Sequence, residues 1–327
     1  MKISCLIPVY NGEKHLRAAL QSIMDQTYQE FEVIVVNDGS NDKSGDILDE
    51  YSRKYDNFKV FHKENGGIVS ALNFGLQFCK GDYIARMDCD DIAMRDRFEI
   101  QLQEFNTRRD AVAVGGYLRW IDDNDNIAPG KGFSPSRVTH TSLRSFPAKV
   151  ANVQHSAGMF LSKAIREVGG YRSTFKHAED YDLYLRLAKF GGFYNPAKPV
   201  IYYRQHPSSL SAQNLLEQET NAVLAELSAC ARLAGVSDPG DFGRSMGLDE
   251  YNKILGDIVC PIGTISRYID FRMLRRLNSI NSPDANEYRR RIFRGLSKPS
   301  NYCSRKDLQL NARIVLSIGR SWLRRKL

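Results

Sequence analysis

The sequence lacks a cysteine framework and any long hydrophobic run. Its 327 residues include six cysteines, with no C-x-x-C pair and no regular spacing, at positions 5, 79, 89, 230, 260 and 303. This pattern is typical of reduced thiols and argues against a disulfide scaffold or a zinc ribbon. The first apolar stretch ends at Pro8, too early for a secretory signal, and no stretch approaches the roughly 18 residues that span a bilayer. We therefore expect a cytoplasmic protein without a membrane-spanning helix.

Two common nucleotide-binding motifs are also absent. No G-x-G-x-x-G follows the first apolar run, which argues against a nicotinamide dehydrogenase, and no G-x-x-x-x-G-K-[ST] occurs, which argues against a P-loop enzyme. The glycine-rich, basic loop expected of a sugar nucleotidyltransferase after its first strand is missing as well, so that class is disfavoured.

Basic residues are concentrated near the end of the chain. The formal net charge is +8, yet Arg267 to Leu327 contains 16 Lys and Arg residues against 4 Asp and Glu, a local charge of +12. Apolar and basic residues intermix between Leu308 and Leu327 as in a basic amphipathic helix, although a solvated helical appendage explains the same composition. We expect this region to contact an anionic membrane surface. Nucleic acid is the disfavoured partner, because no motif for reading it is present.

Short apolar runs alternate with helical patterns over the first third of the chain. Such runs are typical of strands buried on both faces, and their alternation predicts an α/β fold with a mostly parallel central sheet flanked by helices. The predicted strands are Ile3–Val9, Phe31–Val36, Phe58–Phe61 and Tyr83–Met87, and the predicted helices between them are Glu13–Met24, Ser44–Tyr55 and one that ends at Leu76.

Polar residues follow the carboxyl ends of these predicted strands. Because ligands bind outside such ends in open parallel sheets, Tyr10-Asn11, Asp38 and Asp88–Asp91 are expected to converge on one crevice. The three carboxylates in Asp88-Cys89-Asp90-Asp91 repel one another by ~1 kcal/mol per pair in water, so the run needs either full solvation or a cation. Asp38 is either a turn residue or an acceptor for a ribose hydroxyl or a base N–H.

Four segments, in order, resemble the motifs of family 2 glycosyltransferases with the GT-A fold. They are Pro8-Val9-Tyr10-Asn11, then Val36-Asn37-Asp38-Gly39-Ser40, then Asn65-Gly66-Gly67 with Ala71-x-Asn73-x-Gly75, and then Gly81-Asp82-Tyr83 running into Asp88-Cys89-Asp90-Asp91. Each motif alone is weak, but their order and spacing are specific. The resemblance extends to about Leu210, and it implies a GT-A catalytic domain over residues 1–211 followed by a helical, basic region over residues 212–327.

The resemblance implies a role for each matching residue. Asp90 would bind a divalent metal, Mn²⁺ or Mg²⁺, with His206 as a further ligand, since hard oxygen ligands suit both ions. Asp180 would be the catalytic base, Glu179 would shape its surroundings, and His155 would contact substrate on the acceptor side. The implied donor-binding residues are Pro8, Tyr10, Asn11, Asp38, Asn65, Gly67, Asp88 and Arg204.

Glu179 and Asp180 also have a purely structural explanation. They open the predicted helix Tyr181–Phe190, where acids complement the helix dipole and cap free N–H groups. The preceding segment Gly169–Arg172 matches the Gly-Gly-Tyr-Arg sequence that comes before the Glu-Asp pair in the family. That match favours the catalytic interpretation.

A second acidic run, Asp122–Asn126, lies between two extended patterns and is interpreted as a solvated hairpin tip without a metal. The irregular segment Pro129–Pro147 that follows is long for a simple connection. Long loops in compact domains often bind ligands, so we expect this segment to contribute to the acceptor side.

Together these features predict an inverting glycosyltransferase. It would move a hexosyl or N-acetylhexosaminyl group from a nucleotide sugar, with UDP favoured, to a saccharide or lipid-linked saccharide in cell-surface polysaccharide biosynthesis. The location implied is the cytoplasm or the inner face of the membrane. A non-catalytic nucleotide-sugar-binding protein remains an alternative, because it would share Asp38 and the acidic run without needing Asp180.

Overall fold

Four parallel strands form the first half of a central sheet. In this computed structural model the described residues are 2–127, 153–204 and 214–243, together with Tyr251, Ile269 and Arg272. The strands are β1 (Ile3–Val9), β2 (Phe31–Asp38), β3 (Phe58–Lys63) and β4 (Tyr83–Arg86), which lie side by side in the order β3-β2-β1-β4. Cys5 of β1 pairs with Val33 of β2 on one side and with Ala85 of β4 on the other. All eight residues of β2 are buried, which explains the continuous apolar run Val33–Val36 at its centre.

Helices connect these strands and cover the sheet. They are α1 (Glu13–Met24), α2 (Ser44–Lys54) and α3 (Ile68–Leu76). Helix α1 buries Leu16, Ala19, Leu20 and Ile23, the spacing of one helical face. Each large apolar side chain buried in this way stabilises the fold by about 1.5–3 kcal/mol relative to exposure.

The second half of the sheet is mixed. Helix α4 (Arg97–Thr107) precedes β6 (Ala111–Val114); β8 (Met159–Leu161), α5 (Ser162–Glu167), α6 (Glu179–Leu187) and β9 (Gly192–Tyr194) follow. The full order is β3-β2-β1-β4-β8-β6-β9, and β8 is antiparallel to both of its neighbours while β9 is parallel to β6. The predicted α/β fold with a mostly parallel central sheet is therefore confirmed, with β8 as its antiparallel strand.

A small second sheet gathers three segments that are far apart in sequence. It consists of β5 (Ile92–Ala93), β7 (Tyr117–Ile121) and β10 (Pro199–Arg204), in the order β5-β10-β7. Strand β10 is antiparallel to β5, with Tyr202 opposite Ile92, and parallel to β7. Because β5 directly follows the acidic run Asp88–Asp91, this sheet brings the end of β10 to that run.

The chain divides into two compact units. The first comprises Met1–Ser142, Lys149–Ser173 and Glu179–Ser209, and the second Leu143–Ala148, Thr174–Ala178 and Leu210–Leu327. The predicted domain limits at residues 211 and 212 stay a prediction.

In the second unit, α7 (Leu215–Leu233) is joined to a short 3-10 helix, Pro239–Phe242, by polar contacts. Asp238 accepts hydrogen bonds from Ser228 and Arg232, and Arg272 pairs with Glu226 at 2.7 Å. Within the described part of the chain, no helix has the length and apolarity needed to cross a bilayer. Apart from Ile269 and Arg272, the basic region from Arg267 to Leu327 lies outside the described residues.

Candidate active site

The loops after β1 and β2 are held together by side chains from the first predicted motifs. Asn11 adopts φ 50°, its backbone N–H donates to Ser40 Oγ at 3.0 Å, and its Oδ1 accepts from the backbone N–H of Asn41 at 2.8 Å. Next to it, the side chain of Tyr10 is 52% exposed, and Pro8 is partly buried at the end of β1. Asn11 therefore connects the two loops, while Tyr10 offers an open aromatic ring beside them.

Asp38 is buried at the end of β2 and orders the following loop. Its Oδ1 accepts from Lys63 Nζ at 2.6 Å and from the Gly66 N–H at 3.0 Å, and its Oδ2 accepts from the Gly67 N–H at 2.7 Å. The side chain of Asn65 donates to the backbone oxygen of Asp38 at 2.8 Å. Gly67 has φ +80°, a conformation that favours glycine. Asp38 thus fixes the turn that starts α3, and its predicted contact with ribose or base stays a prediction.

The acidic run forms a compact carboxylate cluster. Oxygens of Asp88, Asp90 and Asp91 lie within 4.8 Å of one another, and among the described residues they form a group suited to holding a metal ion. Asp91 is only 1% exposed; its Oδ1 accepts from the Arg204 N–H at 2.8 Å, while its Oδ2 is buried and has no hydrogen-bond partner within the described part of the chain. Burial raises the pKa of Asp88, and burial and the charge of Asp88 raise that of Asp91 well above its usual range. An orphaned buried oxygen and clustered hard ligands fit Mn²⁺ or Mg²⁺.

Arg86, at the end of β4, supplies a positive charge to this cluster. It is 2% exposed, and its Nη1 lies 2.5 Å from Asp88 Oδ2. Burial acts against its charge, but Asp88 outweighs that effect and the pKa of Arg86 rises. Arg86 was not among the residues predicted from the sequence, although a charged side chain inside an apolar strand run was a usable signal. Asp88 is also held through its backbone N–H, which donates to Ser156 Oγ at 3.0 Å.

Two buried polar residues of α4, Arg97 and Gln101, hold the backbone next to the acidic cluster. Arg97 Nη2 donates to the backbone oxygen of Arg86 at 2.7 Å, and burial lowers the pKa of Arg97 to about 10. Gln101 Nε2 donates to the backbone oxygen of Ala157 at 2.7 Å and to that of Val114, the last residue of β6, at 3.1 Å. These contacts fix the end of β4 against the 3-10 turn His155–Ala157.

The predicted base lies at the start of α6, where burial dominates its chemistry. Burial raises the pKa of Asp180, whose Oδ1 accepts from the Tyr181 N–H at 2.7 Å. Burial, with the charge of Asp180 added, raises the pKa of Glu179 to about 7, and Glu179 Oε2 has no hydrogen-bond partner among the described residues. The charges of Arg86 and Asp88 both act on the pKa of Asp180. The charges of the acidic cluster therefore act on the carboxylate predicted to be the base.

His155 contacts the loop that leads to α6. Its Nε2 lies 2.8 Å from Tyr171 Oη, and burial, reinforced by Arg86, lowers the pKa of His155 well below its usual range, so the ring is neutral. Tyr171 is held at its backbone by Asn73 of α3, which accepts from its N–H and donates to its oxygen, both at 2.8 Å. Gly170 has φ +71°, and a Cβ there would lie 2.6 Å from Asn73 Oδ1. The predicted substrate contact of His155 stays a prediction.

Arg204 ends β10 with its guanidinium turned toward the acidic cluster. Its Nε donates to the backbone oxygen of Asp90 and its Nη1 to that of Asp122, both at 2.7 Å. Its Nη2 pairs with Asp125 Oδ1 at 2.5 Å. The predicted donor contact of Arg204 stays a prediction, because all three nitrogens already contact the protein. His206 and the segment Pro129–Pro147 lie outside the described residues.

The second acidic run is a hairpin tip, as the strand bridge between Ile121 and Ile127 shows. Asp122 Oδ1 accepts from the N–H groups of Asn124 and Asn126 at 2.8 and 3.0 Å. Asp123 pairs with Lys14 and lies 2.9 Å from His15 Nε2. These hydrogen bonds lower the pKa values of Asp122 and Asp123.

Comparison with solved structures identifies the fold. The crystal structure of S. aureus TarS 1-349 in complex with UDP aligns with 98% of this chain and 92% of that one, with a TM-score of 0.54 and 18% identity. The mannosyltransferase PcManGT from Pyrobaculum calidifontis, in complex with GDP-Man and Mn²⁺, aligns with 96% of this chain and 86% of that one, with a TM-score of 0.55 and 15% identity. The fold is that of GT-A glycosyltransferases.

The chain belongs to glycosyl transferase family 2, whose sequence profile matches residues 4–169. An uncharacterized glycosyltransferase of Rickettsia typhi is 31% identical over 224 residues, which cover 66% of this chain and 68% of that protein. The chondroitin synthase of Escherichia coli is 30% identical over 220 residues, covering 67% of this chain but only 31% of that protein. This chain thus corresponds to a part of some longer relatives, and the resemblance drawn from its motifs is confirmed.

Proposed function

We propose that the chain is an inverting, metal-dependent glycosyltransferase that moves a sugar from a nucleotide-sugar donor to a saccharide acceptor in polysaccharide synthesis. The observation that carries the proposal is a carboxylate cluster suited to a cation together with a second acidic site, Asp180, on which the charges of Arg86 and Asp88 act. Asp90 with its neighbours Asp88 and Asp91 suits a divalent cation, and Asp180 has the raised pKa that suits a general base. A binding protein without turnover would need the first site but not the second.

The donor would lie across the loops after β1, β2 and β4. We assign its nucleotide to the open ring of Tyr10, with Pro8 and Asn11 beside it, and its ribose to Asp88. Asp38, Asn65 and Gly67 shape the loop at the start of α3. The complexes of TarS with UDP and UDP-GlcNAc support a uridine donor. Because PcManGT was solved with GDP-Man, guanosine donors are also to be tested.

Asp90, with Asp91 beside it, would hold Mn²⁺ or Mg²⁺, with His206 as a further ligand and Asp88 at the edge of the metal shell, and the metal when bound supplies Lewis-acid stabilisation of the departing diphosphate. Asp180 accepts the proton of the acceptor hydroxyl: the Tyr181 N–H orients its Oδ1, which leaves Oδ2 to face the hydroxyl. Glu179 and Arg86 tune the charge of that carboxylate. A single displacement by the acceptor inverts the anomeric centre, and no covalent sugar intermediate is needed.

The test is a screen of UDP-, GDP- and dTDP-sugars for nucleotide release by the purified chain with Mn²⁺, with Mg²⁺ and with EDTA. We expect release that EDTA abolishes, and a product whose anomeric configuration is opposite to that of the donor. Asp180→Asn should still show a thermal shift with donor and metal but lose transfer by about 10²–10⁴-fold. Turnover that persists in EDTA would contradict the requirement for a metal. Full transfer by Asp180→Asn would contradict the assignment of Asp180 as the base. Retention of the anomeric configuration would contradict the single-displacement mechanism.

We further propose that residues 1–211 form the catalytic domain and that the basic region within residues 212–327 holds it at the cytoplasmic face of a membrane, near a lipid-linked acceptor. The concentration of Lys and Arg between Arg267 and Leu327 supports this proposal. Flotation with vesicles of phosphatidylserine and phosphatidylcholine should recover the chain at low salt and lose it as salt rises. Retention on nucleic acid without flotation would contradict it.

A further inference from the structure

Arg204, the last residue of β10, is a buried charge beside the acidic run. Its side chain is 0% exposed, although it lies beside a cluster of carboxylates at the open edge of the sheet. Each of its three guanidinium nitrogens donates to a different residue: Asp90, Asp122 and Asp125. A guanidinium is planar and rigid, so three separate partners fix its orientation as well as its location.

These contacts join the two acidic runs of the chain. On one side, Arg204 holds the backbone oxygen of Asp90 through Nε and the carboxylate of Asp91 through its own backbone N–H, at 2.7 and 2.8 Å. On the other side it holds the hairpin tip through Asp122 and Asp125. Because a peptide group held at its oxygen limits rotation of the residue it belongs to, the contact with Asp90 restricts where the Asp90 carboxylate points.

Asp125 has a second effect, which is electrostatic. A buried guanidinium close to the carboxylate cluster repels any cation that enters it, unless a counter-charge offsets the repulsion. Asp125 supplies that counter-charge from the hairpin tip, at 2.5 Å. It therefore lets Arg204 serve as a rigid support for the cluster at a small electrostatic cost.

We propose that Arg204 is a positioning residue that sets the Asp90–Asp91 segment for divalent-cation binding, and that Asp125 at the hairpin tip holds Arg204 in that orientation. The inference rests on the proposed function, whose metal site it deepens. It differs from a direct contact between Arg204 and the donor diphosphate, because such a contact requires the guanidinium to leave acceptors that it already binds.

The experiment measures binding of Mn²⁺ alone to the full chain, by electron paramagnetic resonance of the free ion, for the wild type and four variants. Arg204→Ala should weaken Mn²⁺ binding by about 10–100-fold, the usual effect of removing a partner that orients metal ligands, and Arg204→Lys should restore part of the loss. Asp125→Gly should weaken it about tenfold. Glycine is the appropriate replacement because Asp125 has φ 65°.

The matched control is Asp123→Gly, two residues away in the same hairpin tip. Asp123 pairs with Lys14 and His15 rather than with Arg204. Asp123→Gly places a glycine in the same hairpin tip without removing a partner of Arg204, so Mn²⁺ binding should stay within twofold of the wild type. Circular dichroism and thermal unfolding check that each variant folds; if Arg204→Ala does not fold, the comparison of Asp125→Gly with Asp123→Gly carries the test.

UDP binding in EDTA separates positioning from direct donor contact. A positioning role predicts that Arg204→Lys and Asp125→Gly bind UDP in EDTA as the wild type does, and that saturating Mn²⁺ restores most of their turnover. The proposal is overturned if folded variants bind Mn²⁺ within twofold of the wild type, or if the loss appears only in UDP affinity without metal. If the wild type binds Mn²⁺ and turns over donor, and the variants do so equally well, only this inference is contradicted. If the wild type binds no Mn²⁺, the proposed metal site is contradicted as well.

Discussion

The two acidic runs, Asp88–Asp91 and Asp122–Asn126, each contain three aspartates, but their environments differ. Asp91 in the first run is 1% exposed, whereas the side chain of Asp123 in the second is 48% exposed. Burial raises the pKa values of Asp88 and Asp91, while hydrogen bonds from Lys14 and from backbone N–H groups lower those of Asp123 and Asp122. Asp88 and Asp91 therefore resist ionisation, whereas Asp122 and Asp123 favour it.

The elements that precede each run explain the difference. The first run directly follows β4, a strand in the middle of the central sheet. The buried side chains of Arg86 and Arg97 lie next to it. The second run turns between two short extended segments and faces water. A local acidic pattern is thus ambiguous until the strand before it is placed, because only a run that the sheet shields from solvent needs a cation.

The largest expected effect separates the two runs by activity. Asp90→Asn removes one negative charge and one oxygen ligand from the cluster, and it should lower metal-dependent turnover at least about a hundredfold. Asp123→Asn removes the same single negative charge at the hairpin tip and should leave turnover within twofold of the wild type. The measurement is initial rate of nucleotide release at several Mn²⁺ concentrations. Equal losses in the two variants would contradict the assignment of the metal to the first run.

The next effect concerns stability and compares the cations of the two runs. Arg86→Met should lower the free energy of unfolding by about 3 kcal/mol, the low end for a broken buried pair, because it leaves the half-buried carboxylate of Asp88 and the buried one of Asp91 without their internal counter-charge. Lys14→Met breaks the exposed pair with Asp123 and should leave the urea midpoint nearly unchanged. Urea unfolding in EDTA at pH 7 gives both values. A smaller loss for Arg86→Met than for Lys14→Met would mean that the sheet does not shield the first run.

The sequence was sufficient for the strands whose signal is local. β1, β2 and β4 appear as short apolar runs because both of their faces are buried, and polar residues follow their carboxyl ends as the parallel arrangement requires. The three carboxylates of the first run could be located in this way. The Glu179-Asp180 pair at the start of α6 was located instead by its helical pattern and by its match to the family motif.

Other parts of the site depend on contacts between distant residues. The pairing of β10 with β5 brings Arg204 to Asp90 across 114 positions, and no local pattern encodes that pairing. Asp38 was interpreted from its place after β2, but only the fold shows that Lys63 and two glycine N–H groups occupy its carboxylate. The antiparallel direction of β8 likewise follows from pairing with β4 and not from its three residues.

Glu179 extends the comparison to a buried carboxylate outside both runs. Burial raises its pKa to about 7 in the folded chain, above the ordinary value of 4.5. Its stabilising contribution is therefore complete below pH 4.5 and is lost as the pH rises through 7, because the folded protein binds the proton more tightly. Glu179→Gln mimics the protonated form and should exceed the wild type by up to about 3 kcal/mol at pH 8, with little difference at pH 5. Parallel pH profiles of urea unfolding would contradict this.

The smallest expected effect lies at Asp123 and has the opposite sign with pH. Hydrogen bonds from Lys14 and His15 lower its pKa, so its contribution is present above the unfolded pKa and is lost as the pH falls through the folded one. Since the pair is exposed, salt screens it, and Asp123→Asn should differ from the wild type only in dilute buffer near neutral pH. The measurement is the unfolding midpoint of both proteins at low and high salt, at pH 7 and pH 3. If the unfolding midpoints of the two proteins still differed in high salt, the hairpin tip would be shielded from solvent like the first run. The two runs would then differ only in metal binding.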